Sequence, residues 1–441
     1  MIRRPVGIDL FAGAGGMSLG FEQAGFDVAA AIEIDPIHCA THLFNFPFSK
    51  ILPRSVVGLS AHDIRNASQI GDAVVDCVFG GPPCQGFSLI GQRSLEDPRN
   101  HLVLEFIRLV RELNARSFVF ENVKGLTVGT QRVFLEEFIA ECGRAGYEVV
   151  RPWQVLNAAR FGVPQDRERL FLLGVRRGES LPSYPLPTTS GQVIRSLIEM
   201  STPTCLDALG DLPDAEHFES LRDSDEVMCN ISNTRSTFAA SLRCETDDDW
   251  SFGYRRVWQS DRLTSSARTE HSLISRRRFR ETLPGTVEPI SRFYRLSGNG
   301  ISNTLRAGTD GARGAFTSPR PIHFEYARCI TVREMARLHG YPDWFRFHAT
   351  KWHGARQVGN SVPPPLARAV ASSVLASLGF DATRPSQEVS LGDPSFLRVE
   401  MSQAAALFSV PVPIQRRDRR SGSRKRSQLE VEASREVFRR A

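Results

Sequence analysis

The sequence predicts an α/β fold: a mainly parallel sheet with crossover helices, followed by a smaller, loop-rich second region. Three observations carry this reading. Short β-type runs alternate with helical patterns as far as Gly178, the mark of a parallel sheet. Glycine- and proline-rich loops follow several of the runs. The alternation then stops at LPSYPLPTTSGQ, a Pro/Ser/Thr linker. The 441 residues are enough for two or three domains with a sizeable core. A composition of 41% apolar and 24% charged residues excludes a mostly disordered or fibrous chain.

In order, strands are expected at Val6–Phe11, Val28–Glu33, Val74–Phe79, Ser117–Glu121, Glu148–Val155 and Arg169–Val175. Helices are expected at Met17–Ala24, Pro36–Phe44, His101–Arg111 and Arg132–Ala145. The third helix is apolar on more than one face, which implies burial between the sheet and its neighbours. Residues 191–330 lack clear periodicity and form the expected second domain. Helices at Val332–His339 and Pro365–Leu378 restore regular structure, so 331–385 reads as a return to the first domain of residues 1–190. Beyond Thr383 the chain is Ser-, Arg- and Pro-rich, and 386–441 reads as a flexible basic tail. There is no internal repeat.

The net charge of +6 belongs to that tail, where residues 416–440 hold ten basic and four acidic residues. Cys205–Trp250 carries twelve acidic residues against three Arg, whereas Arg255–Arg337 carries sixteen Arg against seven acidic residues. Only four of the 55 basic residues are Lys. Arg presents a planar fork suited to phosphate and guanine, although GC-rich coding would give the same ratio. The eight Cys form no CxxC pair and no Cys/His cluster at zinc spacing, so a reducing compartment and no metal are expected. No run of about 18 apolar residues occurs, and Asp9 interrupts the apolar start, so neither a membrane span nor a signal peptide is expected. A soluble, cytoplasmic protein follows.

Five motifs carry chemistry. DLFAGAGG (Asp9–Gly16) follows a strand and opens a helix, where glycines permit tight turning and free N–H groups face a ligand. A purely structural turn is the plainer reading, and Ser18 stands where GxGxxG would have its third glycine. Glu33 ends the second strand about twenty residues on, where a carboxylate can take a ribose diol or merely cap a helix. GGPPCQGFS (Gly80–Ser88) places Cys84 between prolines and glycines at a strand end; this aims the thiol as a nucleophile would require. FVFENVKG puts Glu121 and Asn122 on the same rim, where a carboxyl can donate to a ring nitrogen and accept from its amine. VPQDRERLF places Gln165, Arg167 and Arg169 at a strand start, and alternation directs both Arg to one face. RQVGNSVPP (Arg356–Pro364) reads as a Gly-Asn-Ser loop before a helix.

The order DLFAGAGG, EID, GGPPCQGFS, DPRN, ENV, QxRxR, TVRE and GNSVPP resembles the DNA (cytosine-5) methyltransferases, the bacterial restriction–modification type most of all. The resemblance spans about residues 6–376, and Ser361 stands where the family often has Ala. It implies a Rossmann-like sheet that uses S-adenosylmethionine, with a smaller, loop-rich target-recognition domain. It also implies that the target cytosine is flipped out of the duplex. Cys84 would attack C6, Glu121 would bond N3 and N4, and Arg167 and Arg169 would hold the base or its phosphate. The cofactor would lie against Phe11, Gly13, Gly15, Gly16 and Pro83, with Glu33 on the ribose and Ile34, Asp63 and Ile64 around the adenine. Asn360 and Ser361 would close that site; Asp63 also reads as a helix cap. Gln85, Ser88, Arg99, Arg306 and Arg313 would face double-stranded DNA, with Arg276–Arg278, Arg280, Arg292, Arg295 and Arg320 as further candidates. The acidic stretch would face away from DNA. The chain is expected to act as a monomer, with a cognate restriction endonuclease as a genetic partner. A tRNA methyltransferase of the same architecture is disfavoured by the long recognition region and by Gln85. An inactive DNA-binding relative is disfavoured by Cys84, Glu121 and Arg167 occurring together, and a nicotinamide oxidoreductase by the lack of GxGxxG.

Overall fold

The computed structural model describes residues 3–83, 101–129, 131–191, 200–229, 236–309 and 317–413. Its centre is an eight-stranded sheet. Four parallel crossovers use β1 (Val6–Leu10), β2 (Asp27–Glu33), β3 (Lys50–Pro53), β4 (Cys77–Gly80) and β5 (Ser117–Val123). Three antiparallel strands complete it: β6 (Tyr147–Val149), β7 (Gln154–Asn157) and β8 (Glu168–Arg176). The order is β3-β2-β1-β4-β5-β8-β6, with β7 also on β8. The strand expected at Glu148–Val155 is thus two strands; Pro152 lacks the N–H that a continuous ladder needs. β3 carries too short an apolar run for its sequence to have marked it.

The crossover helices are α1 (Gly16–Ala24), α2 (Pro36–Asn45), α3 (Ala61–Ser68), α4 (His101–Glu112) and α5 (Gln131–Arg144). One core packs Ile8, Ile32, Phe106, Phe118, Leu135 and Leu172 on one face of the sheet. A second packs Phe21, Phe79 and Phe171 against Leu366, Val370 and Val374 on the other. Those last three lie on α11 (Pro364–Ser377), so this late helix covers the sheet with which the chain began.

The middle region has little regular structure: α6 (Cys205–Leu209), β9 (Val227–Met228), α7 (Thr237–Leu242), β10 (Arg255–Val257), β11 (Arg262–Leu263) and α8 (Leu273–Glu281). Apart from a small cluster of Phe279, Ile322 and Cys329, its buried residues join a core shared with the rest of the chain. Leu209, Leu221, Leu263 and Leu305 pack with Leu19 of α1, Phe46, and Met335 and Leu338 of α9 (Val332–Leu338). Arg356–Asn360, expected as a loop, is the second half of α10 (Lys351–Asn360), so only Ser361–Pro363 separates it from α11.

The expected flexible tail is corrected over residues 388–407. β12 (Glu388–Ser390) pairs in parallel with β10, and α12 (Met401–Leu407) packs on α2. Between them the Gly392 N–H donates to Phe44 O at 2.8 Å, and Leu397 is fully buried. The apolar residues that fix this strap, Leu391, Leu397 and Phe408, are irregularly spaced among polar ones, so no periodicity announces them. The basic residues of 416–440 lie outside the described residues. Leu397→Ala is expected to lower unfolding free energy by about 2–5 kcal/mol in chemical denaturation; a change within about 0.5 kcal/mol, as at ordinary surface positions, would contradict a packed strap.

Candidate active site

The site lies at the carboxyl ends of the parallel strands, where loops diverge and backbone groups are left for a ligand. β1 is a buried apolar strand, and the chain leaves it through Phe11, whose φ of 65° is left-handed for a bulky residue. Glu33, ending β2, clamps the loop that follows. Its Oε2 accepts from Gly13 N at 2.8 Å and its Oε1 from Asp35 N at 2.9 Å. No side chain caps the N-terminus of α1, which opens beside this loop at Gly15. Beneath it Ser18 Oγ donates to Asp9 Oδ2 at 2.6 Å, and burial pushes the Asp9 carboxyl up to about 8 against that bond.

β4 and β5 carry the second wall. Asn122 Nδ2 donates to Pro82 O at 3.2 Å and so fixes the Gly80–Pro83 turn to β5. Glu121 lies next to it, largely buried, with Arg169 Nε 2.9 Å from its Oε1. Burial raises the pKa of the Glu121 carboxyl above the ordinary range, while Arg169 and Arg167 pull against that. Burial wins. Gly81 leaves the room for this carboxyl: a Cβ there would stand 2.2 Å from Glu121 Oε2. Cys84, Gln85, Ser88 and Arg99 lie outside the described residues, as does Arg313.

Arg167 and Arg169, expected side by side on the target base, are separated. Arg169 lines the cleft, whereas Arg167 is fully buried and donates to the carbonyls of Leu305, Gly359 and Ser361 at 2.8–2.9 Å. Arg167 precedes β8, so the strand alternation that pairs it with Arg169 does not govern its side chain.

These walls enclose a cleft of about 550 Å3. Of the expected cofactor residues, Phe11, Gly13, Gly16, Glu33, Ile34, Pro83, Asn360 and Ser361 line it; Gly15, Asp63 and Ile64 do not. Asp63 is spent on the capping box of α3, accepting from Ser60 N and Oγ, and Ile64 is core. The cleft also takes in Asp9, His38, Ala307–Thr309 and Arg356, which sequence reasoning missed as site residues. The signal for Asp9 was its charge within an apolar strand; nothing local marks the others. Among the described residues no group of three or more His, Cys, Asp or Glu is arranged to hold a metal, and no helix is long and apolar enough to cross a membrane.

The Arg-rich segment is largely committed within the protein. Arg276 pairs with Glu216 at 2.6 Å, Arg268 with Glu219 at 3.0 Å, Arg328 with Asp214 at 2.8 Å, and Arg337 with Asp211. Arg295 donates to three backbone carbonyls, and Arg320 is buried on Ile330 O and Thr269. Arg278 stands 3.5 Å from Glu288. Arg277, Arg280, Arg292 and Arg306 are exposed.

A Rossmann-like sheet with a carboxyl–guanidinium pair beside a glycine-loop cleft defines a class, and comparison with known sequences supplies the family. Residues 6–376 match the C-5 cytosine-specific DNA methylases, and the chain belongs to this family of DNA cytosine-5 methyltransferases. It is 55% identical over 407 residues to the type II methyltransferase M.XorII of Xanthomonas oryzae pv. oryzae, covering 92% of this chain and 93% of that one. It is 33% identical to M1.HphI of Haemophilus parahaemolyticus, covering 83% and 86%. The crystal structure of a protein described as a prophage-encoded DNA modification methyltransferase of E. coli superposes with a TM-score of 0.67 at 31% identity, over 85% of this chain and all of that one.

Gly81→Ala is expected to displace the Glu121 carboxyl and to lower methyl transfer to DNA by about 10²-fold, with the melting temperature little changed. Transfer at the wild-type rate would show that the Glu121 position is not what the glycine protects.

Proposed function

We propose that this enzyme methylates C5 of a cytosine flipped out of a specific double-stranded DNA sequence, using S-adenosylmethionine. It would act as a monomer in the cytoplasm and protect host DNA from a partner restriction endonuclease. The buried Glu121–Arg169 pair beside the Gly13–Gly16 loop carries this reading. The protective role rests on the type II relatives. In this reading residues 1–190 and 331–385 form the catalytic domain and 191–330 the target-recognition domain.

The cleft fits the cofactor. The uncapped start of α1 suits a carboxylate, Glu33 stands where a diol would lie, and exposed Ile34 with Phe11 offers apolar surface for a purine. Asn360 and Ser361 close the lip opposite. S-Adenosylmethionine, when bound, supplies an electrophilic methyl group.

The chain's own residues must make C5 nucleophilic. Cys84, as thiolate, adds to C6 of the flipped base. Negative charge then builds at N3, and Glu121 meets it by donating its proton there while accepting from the N4 amine. Arg169 keeps the carboxyl in that orientation through its 2.9 Å contact. Once C5 carries the methyl group, a water removes the C5 proton, the Cys84 sulfur leaves as thiolate, and N3 returns its proton to the Glu121 carboxylate. Arg167 serves from beneath, through the backbone it holds.

Cys84→Ser is expected to abolish methylation while leaving DNA binding; bisulfite sequencing of plasmid from expressing cells reads both activity and target sequence. Methylation by that variant near the wild-type level would sink the nucleophile assignment. Glu121→Gln keeps the donor–acceptor pattern toward N3 and N4 but has no proton to give, so kcat should fall by about 10²–10⁴-fold. The raised pKa keeps Glu121 protonated to higher pH than an ordinary glutamate. Wild-type kcat should therefore fall as pH rises through that pKa, and the Gln variant should lose this limb.

A further inference from the structure

We propose that Arg167 is a positioning residue that couples the cofactor lip to the Leu305–Thr309 segment of the recognition region, so that cofactor and DNA bind cooperatively. This rests on the cofactor reading above. The guanidinium joins two backbone segments that belong to different parts of the site. Its Nη1 donates to Leu305 O at 2.9 Å; its Nη2 donates to Gly359 O and Ser361 O, both at 2.8 Å. Leu305 leads into Ala307–Thr309, and Gly359 leads into Asn360–Val362; both stretches line the cleft.

Two neighbours close the same latch. Gln165 Oε1 accepts from Leu305 N at 3.1 Å, while its Nε2 donates to His339 Nδ1 at 2.9 Å. The carbonyl of Ser361 can only accept, so His339 Nε2, 3.1 Å away, is the donor, and the ring is the neutral Nε2–H form. Both backbone polar groups of Leu305 and the carbonyl of Ser361 are therefore held by one buried network. At its centre the segments cross in contact: a Cβ on Gly359 would lie 2.4 Å from Ala307 N and 2.5 Å from Arg306 C.

No carboxylate among the described residues comes within ion-pair distance of Arg167, although it is fully buried. A charge held there without an ion pair is costly. A planar fork is the side chain that can bridge three carbonyls on two segments; a lysine ammonium has three donors at one point and no fork. A displacement of either lip must then strain the other, and by linkage each ligand changes the affinity of the other by one common factor.

The test uses the full-length enzyme, S-adenosylhomocysteine and a duplex carrying the methylated sequence. Calorimetry gives the Kd for S-adenosylhomocysteine with and without the duplex. The wild-type ratio is expected to be about tenfold, within the usual 5–150-fold range of such couplings. In Arg167→Lys the ratio should fall to about one, whatever the Kd without DNA becomes. Gly359→Ala, which keeps Arg167 and favours helix, should also collapse the ratio by pushing Arg306–Ala307 away, and it decides the matter if the Lys variant does not fold. A wild-type ratio near one, an unchanged ratio in a folded variant, or the unfolding of both variants would overturn the proposal. Failure of wild-type enzyme to bind S-adenosylhomocysteine at all would overturn the underlying cofactor reading, and is distinguished by the lack of any binding heat.

Discussion

The crossing of α1 and α11 is the contact on which the rest of the site depends. The two helices lie some 340 residues apart in sequence, yet a Cβ on Gly20 would stand 2.4 Å from Ala367 Cβ and 2.7 Å from Arg368 N. Only glycine lets the backbones approach so closely. α1 begins at the loop that Glu33 clamps, and α11 begins just beyond Asn360 and Ser361. Fixing one helix on the other therefore fixes one lip of the cleft against the opposite lip. α1 has a second anchor. Glu22 and Arg256 form a fully buried ion pair at 2.8 Å, with the rings of Phe46, Phe48 and Trp344 within 6 Å of the guanidinium. Such a pair gains little over apolar packing, but loss of either partner strands a buried charge. The middle region is thus tied to the helix that opens at the glycine loop, and most of its buried apolar residues join a core shared with that helix.

Charge acts in this protein mostly as internal mortar. The acidic stretch and the Arg-rich stretch that cancel in the sequence also meet in space, through Asp211, Asp214, Glu216 and Glu219 on one side and Arg337, Arg328, Arg276 and Arg268 on the other. A segment with few regular elements cannot bury enough apolar area to define its shape, and directional carboxylate–guanidinium bonds supply part of what is missing. Among the described residues of this segment, the positive charge left at the surface is then smaller than the composition implies, and it includes exposed side chains such as Arg277, Arg280, Arg292 and Arg306.

What could be read from the chain was what is local. A strand that ends in glycines, a proline-fixed turn and a carboxyl at the next strand end are contiguous features, and the structure gathers Gly13, Pro83 and Glu121 into one cleft. Asn360 was legible as a site residue but not as the end of a helix, because Gly354 and Gly359 disguise the periodicity of α10. Arg167 looked equivalent to Arg169, since nothing in a one-dimensional pattern tells a side chain at a cleft wall from one beneath it. Asp63 shows the opposite failure: its capping box is a purely local motif, and it left the carboxylate no freedom to face the cleft. The strap at 388–407 was hidden for a third reason. Its order depends on surfaces of α2 and β10 made from residues more than a hundred positions away.

The acidity of the cleft raises a last point of physics. Asp9, Glu33, Asp35 and Glu121 all line one cleft of an enzyme whose substrate is a polyanion. Were all four fully charged and free, they would oppose DNA at the distance where screening is weakest. Burial changes this. The Asp9 carboxyl, lifted to about 8, is mostly protonated at neutral pH, and Glu121 is shifted in the same direction. Glu33 spends its oxygens on two backbone N–H groups and Asp35 accepts from Ile37 N, so the charge they carry is already met by dipoles. The carboxyls therefore act less as a negative field than as a set of aimed hydrogen-bonding groups. The same burial that reduces the charge of the cleft shifts Glu121 toward its protonated form.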